Sequence, residues 1–137
     1  MSETVASEMS EPPLGALATL LRDEPALLGT LGRSNATLAV PEPARAVTIA
    51  AISRLSRRSP VVVAVPTSAD AERLAADLAC FLGADDVDVF PAWETLPFER
   101  VSPSVETMGR RMRTMWHLRD PERAPKVLVA PARALVQ

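Results

Sequence analysis

The run VVVAVPTSADAERLAADLACFLG, Val61 to Gly83, reads as one strand followed by one helix. Val61–Val65 is short, continuously apolar and almost wholly β-branched, and Pro66 stops it, as expected of a strand buried on both faces. Thr67 or Ser68 then offers a hydroxyl to cap a helix. Leu74, Leu78, Phe81 and Leu82 recur at helical spacing as its inner stripe, and Gly83 ends it. A fully buried strand leading into an amphipathic helix is half of a parallel βαβ unit.

The same alternation extends in both directions. ATLAV (36–40) and KVLVA (126–130) are further short apolar runs, each with a Pro close behind, and VDVF (87–90) is a weaker fourth. ARAVTIAAISRLSRR (44–58) places Val47, Ala51 and Leu55 on one helical face with Ile52 close by. Ser102-Pro103 reads as N-cap and first residue of a helix through about Leu118. In that helix Val105, Met108, Met112, Met115 and Trp116 share one face, and Glu106, Arg110, Arg113 and His117 share the other. A Met-rich stripe suits a core and also an adaptable interface. An earlier helix over about Leu14–Arg22 is expected to pack outside the sheet. Strand and helix alternating in this order predict an α/β fold, a parallel sheet with flanking helices. Residues 1–12, polar and acidic, read as a disordered arm, and residues 13–137 as the α/β domain. The run Ala132–Gln137 resembles a helix just starting, so the chain reads as the truncated front piece of a longer protein.

Composition narrows the class. The 137 residues are 47% apolar and 23% charged, which is ordinary globular material able to bury a core. The apolar runs are too short to span a membrane, and no secretory leader is recognisable. The single Cys80 excludes an internal disulfide framework and is expected to be an inert buried thiol. The net charge of −2 disfavours non-specific nucleic-acid binding by the whole domain. Charge is unevenly spread, with eight acids against Arg73 over residues 68–99 and seven Arg plus Lys126 against three acids over residues 100–137. A basic face and two differently charged solvated surfaces are both compatible with that.

No catalytic constellation emerges. The turn AVPEPARA occupies the place of a phosphate-binding loop, which needs Gly for close backbone approach, Lys for the β- and γ-phosphates and Ser or Thr for Mg²⁺. Here Ala39 and Ala44 stand at the glycines, Arg45 at the lysine and Ala46 at the hydroxyl, while Pro41 and Pro43 remove two backbone donors and Glu42 repels phosphate. From spacing alone, coincidence and vestige both stay open, and no cofactor is expected either way. One His and one Cys give no spaced metal-ligand set. The acids Asp85, Asp86 and Asp88 lie at a turn and read as solvated, and His117 as solvent-facing.

The most informative segment is FPAWETLPFERVSPS, Phe90–Ser104, where aromatic residues and prolines concentrate. PAWETLPFERVSPSVETMGRRMRTMWHL resembles the W-E-T-L-P-[YFH]-[ED]-x-[LFV]-S-P segment of the bacterial transcription-repair coupling factors. VVVAVPTSADAERLAADLACFLG and KVLVAPARALVQ extend the resemblance, which covers roughly residues 36–137. In that family the segment belongs to an N-terminal module related to the excision-repair protein UvrB. The resemblance implies a degenerate helicase-like, P-loop-like fold similar to UvrB domain 1a, with Ala39, Ala44, Arg45 and Ala46 as vestigial phosphate-loop positions. It also implies a non-catalytic role in nucleotide excision repair in the bacterial cytoplasm. UvrA is then reached through the adjoining module, and RNA polymerase and DNA through downstream domains, alongside contacts with other domains of the same protein. The DNA-gripping hairpin of UvrB has no counterpart, since the chain contains no Tyr.

Within the segment, Trp93 and Leu96 are expected to anchor over the carboxyl ends of the strands. Phe98 and Arg100 are expected at the exposed end, with Arg110 and Arg113 completing a candidate interaction surface. Two other functions are carried as alternatives: an ATP-dependent helicase-type domain using an atypical loop at Ala39–Ala46, and a free-standing module placing the Ser104–Arg119 helix on nucleic acid.

Overall fold

The computed structural model describes residues 12–56, 58–95, 100 and 102–137. The expected N-terminal arm and the anchor and edge assigned to Leu96 and Phe98 therefore fall outside the described residues. In chain order the helices are α1 (Gly15–Leu20), α2 (Pro25–Leu28), α3 (Arg45–Leu55), α4 (Ser68–Leu82) and α5 (Val105–Leu118). The strands are β1 (Val61–Val65), β2 (Val87–Val89) and β3 (Val127–Pro131). They form a parallel sheet in the order β1-β3-β2, with Val61 opposite Val127 and Val87 opposite the same residue from the other side.

Period-two alternation sends the two sets of strand side chains to opposite faces. Val65, Val89, Val127 and Val129 join Ala46 and Ala50 of α3 and Ala71, Leu74, Leu78 and Leu82 of α4 in one buried cluster. The small alanines let α3 and α4 approach closely, and Ala18 of α1 closes the outside of that layer. Helix α4 forms as its sequence dictates. The Thr67 hydroxyl accepts the Asp70 backbone N–H at 3.1 Å and donates to the Asp70 carboxylate at 2.8 Å. Gly83 stops the helix at φ +98°, a conformation open to glycine because it lacks a Cβ. Arg54 fastens the layer together, donating to the Gly15 carbonyl at 2.9 Å and the Phe81 carbonyl at 3.0 Å.

Five expectations are corrected. Ala36–Val40 forms no strand, and its residues are exposed or half-buried; no strand among the described residues offers its backbone a partner. Helix α5 starts two residues later than the Ser102-Pro103 pattern suggests, because Ser104 is the cap and accepts the Thr107 N–H at 3.1 Å. The third correction is the largest. The buried residues of α5 are Thr107, Arg111 and Thr114, while Val105, Met112 and Trp116 face solvent at 81%, 64% and 54% exposure. Of the two readings of the methionine stripe, core and adaptable interface, the core fails because the ground beneath this helix is polar. On the second face of the sheet β2 presents Asp88, whose carboxylate accepts the Thr114 hydroxyl at 2.7 Å. A buried carboxylate left without a donor is more expensive than an exposed methionine. His117, expected in solvent, is half-buried with Nδ1 3.9 Å from that carboxylate. Cys80, expected to be buried, is exposed on α4.

Urea melts test this polarity directly. Leu78→Ala empties a fully buried site and is expected to destabilise by about 2–5 kcal/mol. Met112→Ala is expected to change stability by less than about 0.5 kcal/mol; a loss comparable to that of Leu78→Ala would put the methionines back inside.

Candidate interaction site

The segment after β2 is held by charge as well as by its rings. The Phe90 N–H continues the ladder to the Val129 carbonyl at 2.9 Å, and the chain then turns across the end of the sheet through Pro91, Ala92 and Trp93. Arg111, rising from the buried side of α5, places its guanidinium 4.1 Å from the centre of the Phe90 ring and 4.4 Å from that of Trp93. It also donates to the Pro91 carbonyl at 2.7 Å. Arginine suits this position because a planar, weakly hydrated cation can stack between two rings while donating in its own plane. Burial lowers its pKa from the ordinary 12.5, and its Nε is buried with no hydrogen-bond partner. Trp93 is half-buried, with the cation covering its face.

Glu94, next along the chain, ties the loop to the start of α5. Its carboxylate accepts the Ser104 hydroxyl at 2.7 Å, the Ser104 N–H at 3.4 Å and the Thr107 hydroxyl. The Thr107 bond, then the Ser104 bond, holds the carboxyl at about 2, well below its ordinary 4.5. From the other side, Arg133 donates to the Thr95 carbonyl at 3.2 Å.

The arginines expected to make a surface have different surroundings. Arg100 is exposed. Arg110 is half-buried and donates to Glu72 of α4 at 2.7 Å, so its charge is already partnered. Arg113 is exposed and borders a cleft with His117, Asp85, Asp86 and Asp88. Lys126 bonds Asp86 in that turn at 2.7 Å. No group of acids, His and Cys among the described residues could hold a metal ion.

The turn compared with a phosphate loop is a single 3-10 turn, Glu42–Ala44, running directly into α3. Ala39 and Arg45 are exposed, Ala44 is half-buried and Ala46 is buried. A cleft of about 610 Å³ lies beside it, lined by Glu42, Arg45, Asp70, Arg73 and Asp77 among others. Arg73 is 2.8 Å from Asp70 and 3.7 Å from Glu42, so carboxylates face this one of the cleft's two cations.

Sequence reasoning missed the two residues that organise the site. Arg111 sat between the stripes of the helical wheel, and its one signal was a cation following two aromatics separated by a short turn. Glu94 carried the signal of an acid preceding a serine-rich helix start, where a carboxylate can collect orphan donors.

No family model matches the chain. Over 138 aligned residues it is 34% identical to the transcription-repair-coupling factors of Mycobacterium bovis and Mycobacterium tuberculosis, an alignment covering 93% of this chain and 11% of either relative. The coupling factor of Haemophilus influenzae is 34% identical over 89 residues, or 64% of the chain. The chain belongs to the transcription-repair coupling factor family. It spans about a tenth of the length of these relatives, 11% in the two mycobacterial cases. Among its described residues no helix is long and apolar enough to cross a membrane.

Two substitutions separate anchor from surface. Arg111→Ala removes the stack and leaves the Pro91 carbonyl unpaired, and is expected to destabilise by about 2–3 kcal/mol in urea. Arg113→Ala is expected to be within about 0.5 kcal/mol of the parent. The Glu94 contacts carry their own pH dependence. Because the folded carboxyl is held below 4.5, its contribution is fully present above about pH 4.5 and is lost as pH falls through about 2. The protection of the Ser104 and Thr107 amides against hydrogen exchange, taken relative to the intrinsic rate at each pH, should therefore fall over that window in the parent. In Glu94→Gln that protection should be low already at neutral pH; a window unchanged in Glu94→Gln would assign it to another group.

Proposed function

We propose that this chain is the non-catalytic UvrB-like domain of a transcription-repair coupling factor, a supporting part of transcription-coupled nucleotide excision repair. The observation that carries the reading is the 34% identity to named coupling factors across 93% of the chain. In this reading the domain supports recruitment of UvrA by an adjoining module and packs against other domains of the same polypeptide. RNA polymerase and DNA are engaged by downstream domains, and the setting is the bacterial cytoplasm. The Arg111 and Glu94 contacts fit a supporting role, because they hold the loop's backbone to the sheet and to α5, with Arg100 exposed at its edge.

By its chemistry, the Ala39–Ala46 turn supports the non-catalytic reading. It offers no glycine amides, no lysine and no hydroxyl at the positions a nucleotide would use, and its neighbouring cleft sets Glu42, Asp70 and Asp77 against any phosphate. The Ala39, Ala44, Arg45 and Ala46 positions are read as a vestige of a phosphate loop. Isothermal calorimetry with ATP and Mg²⁺ is expected to give no saturable heat at micromolar concentrations; saturable binding abolished by Arg45→Ala would favour a nucleotide-dependent enzyme.

Direct DNA binding is expected to be weak. The α5 arginines that could meet phosphates include Arg110, already partnered by Glu72, and the chain carries a net −2. Fluorescence anisotropy with duplex DNA at physiological salt is expected to show no submicromolar affinity. Salt-dependent submicromolar binding lost in the Arg110→Ala, Arg113→Ala double variant would make this a nucleic-acid module instead.

A further inference from the structure

The chain leaving β2 is gripped from two sides by elements that do not grip each other. On one side, Arg111 of α5 donates to the Pro91 carbonyl and covers the Trp93 ring, and the Glu94 carboxylate accepts the hydroxyls of Ser104 and Thr107 at the start of the same helix. On the other side lies the 3-10 turn Ala132–Leu135, which follows β3 directly and is seated by the buried Ala134. Arg133 of that turn donates to the Thr95 carbonyl at 3.2 Å, and just beyond it the Gln137 side-chain oxygen accepts the Trp93 backbone N–H at 2.8 Å. Among the described residues, no hydrogen bond or ion pair runs directly between α5 and this turn. Trp93 is therefore held twice, its ring by the helix and its N–H by the residue after the turn.

We infer that residues 91–95 form a coupling strap, through which the turn after β3 and the first half of α5 are docked together or loosened together. The inference goes beyond the family reading and does not depend on it. A backbone rotation that turns the Trp93 N–H away from Gln137 also swings the Cβ that carries the ring, so losing that bond disturbs the stack on Arg111. One residue on, Thr95, gripped by Arg133, adjoins Glu94, gripped by Ser104 and Thr107, and the same reasoning applies. Helix α5 is sensitive to such a change because its apolar residues are exposed and its inward contacts are directional, each contributing little net stability. The second half of the helix has a fastening outside the strap, the Thr114 hydroxyl on Asp88 at 2.7 Å. In the first half, Arg110 to Glu72 is a partly exposed ion pair and holds only weakly. The effect is accordingly concentrated in the half nearer Ser104. Displacement of the turn is thereby registered at α5, and displacement of α5 at the turn, because coupling between two sites is reciprocal.

The test is hydrogen exchange read by mass spectrometry on the full-length protein that carries this chain, with circular dichroism melts to establish that each variant folds. An Arg133→Ala, Gln137→Ala double variant releases the turn's side of the strap and alters no residue of α5. Both side chains are exposed, so their removal leaves the aliphatic core intact. The expected result is exchange about three- to tenfold faster at residues 91–95 and at the Thr107–Arg111 amides, with the Leu74–Leu82 amides of α4 unchanged. In the opposite direction, Glu94→Gln is expected to speed exchange over Ala132–Gln137 as well as at Ser104 and Thr107. Acceleration confined to residues 91–95 in the double variant would overturn the coupling, as would no acceleration at all or a turn unaffected by Glu94→Gln. A rise that extends equally into α4 would mark general destabilisation and overturn it too.

Discussion

One buried cation holds the second layer of this fold in place. Arg111 touches the chain leaving β2 on three counts, the Phe90 ring, the Trp93 ring and the Pro91 carbonyl. It does so from the middle of α5, a helix whose apolar residues are exposed. The first layer, between the sheet and α3 and α4, is a conventional aliphatic core and is stabilised by burial. The second is fixed by a handful of directional contacts. Thr114 to Asp88, Glu94 to Ser104 and Thr107, and Arg110 to Glu72 surround the central arginine and determine the rotation of α5 about its axis. Directional contacts of this kind specify orientation strongly while contributing modestly to net stability.

That division explains what could be read in advance. Val61–Gly83 was legible because strand, cap, stripe and stop all agreed, and β1, the Thr67 cap, α4 and Gly83 stand where the pattern placed them, although β1 is not buried on both faces as expected, since Val62 and Ala64 are exposed. Val127–Pro131 was legible for the same reason. The rotation of α5 was not, because hydrophobic periodicity assumes an apolar floor, and here the floor carries Asp88 and a loop carbonyl. Apolar character at Ala36–Val40 promised a strand, yet a strand needs a neighbour's hydrogen bonds, and those are long-range information that a local run does not contain. In the loop, Trp93 drew notice through composition, whereas its partner Arg111 is remote in sequence and looked like one more surface charge.

The coupling factors are large proteins, and a domain serving inside one is selected for faces that meet other faces. The two layers differ in just that respect. The α3–α4 side is closed by its own alanines and leucines, and the α5 side presents methionines, Trp116 and the uncovered Val62. A polar underside with an apolar outside makes α5 a mediator between sheet and surroundings, bound to the sheet by hydrogen bonds and able to bury its outer flank against something else.

Arg54 carries a consequence of a different kind, in the order of events during synthesis. The carbonyls it joins, of Gly15 and Phe81, lie far apart along the chain, and the Leu14 N–H also bonds the Cys80 carbonyl at 2.9 Å. Helix α1 emerges before α4, and although Arg54 of α3 can already reach it, its seat is complete only once the end of α4 has been made and folded. The earliest residues of this domain are therefore among the later ones to settle. A nascent chain arrested before Phe81 would leave the Leu14 N–H and one arm of Arg54 without their carbonyls, an interval during translation in which this short apolar helix is open to chaperones and to proteolysis.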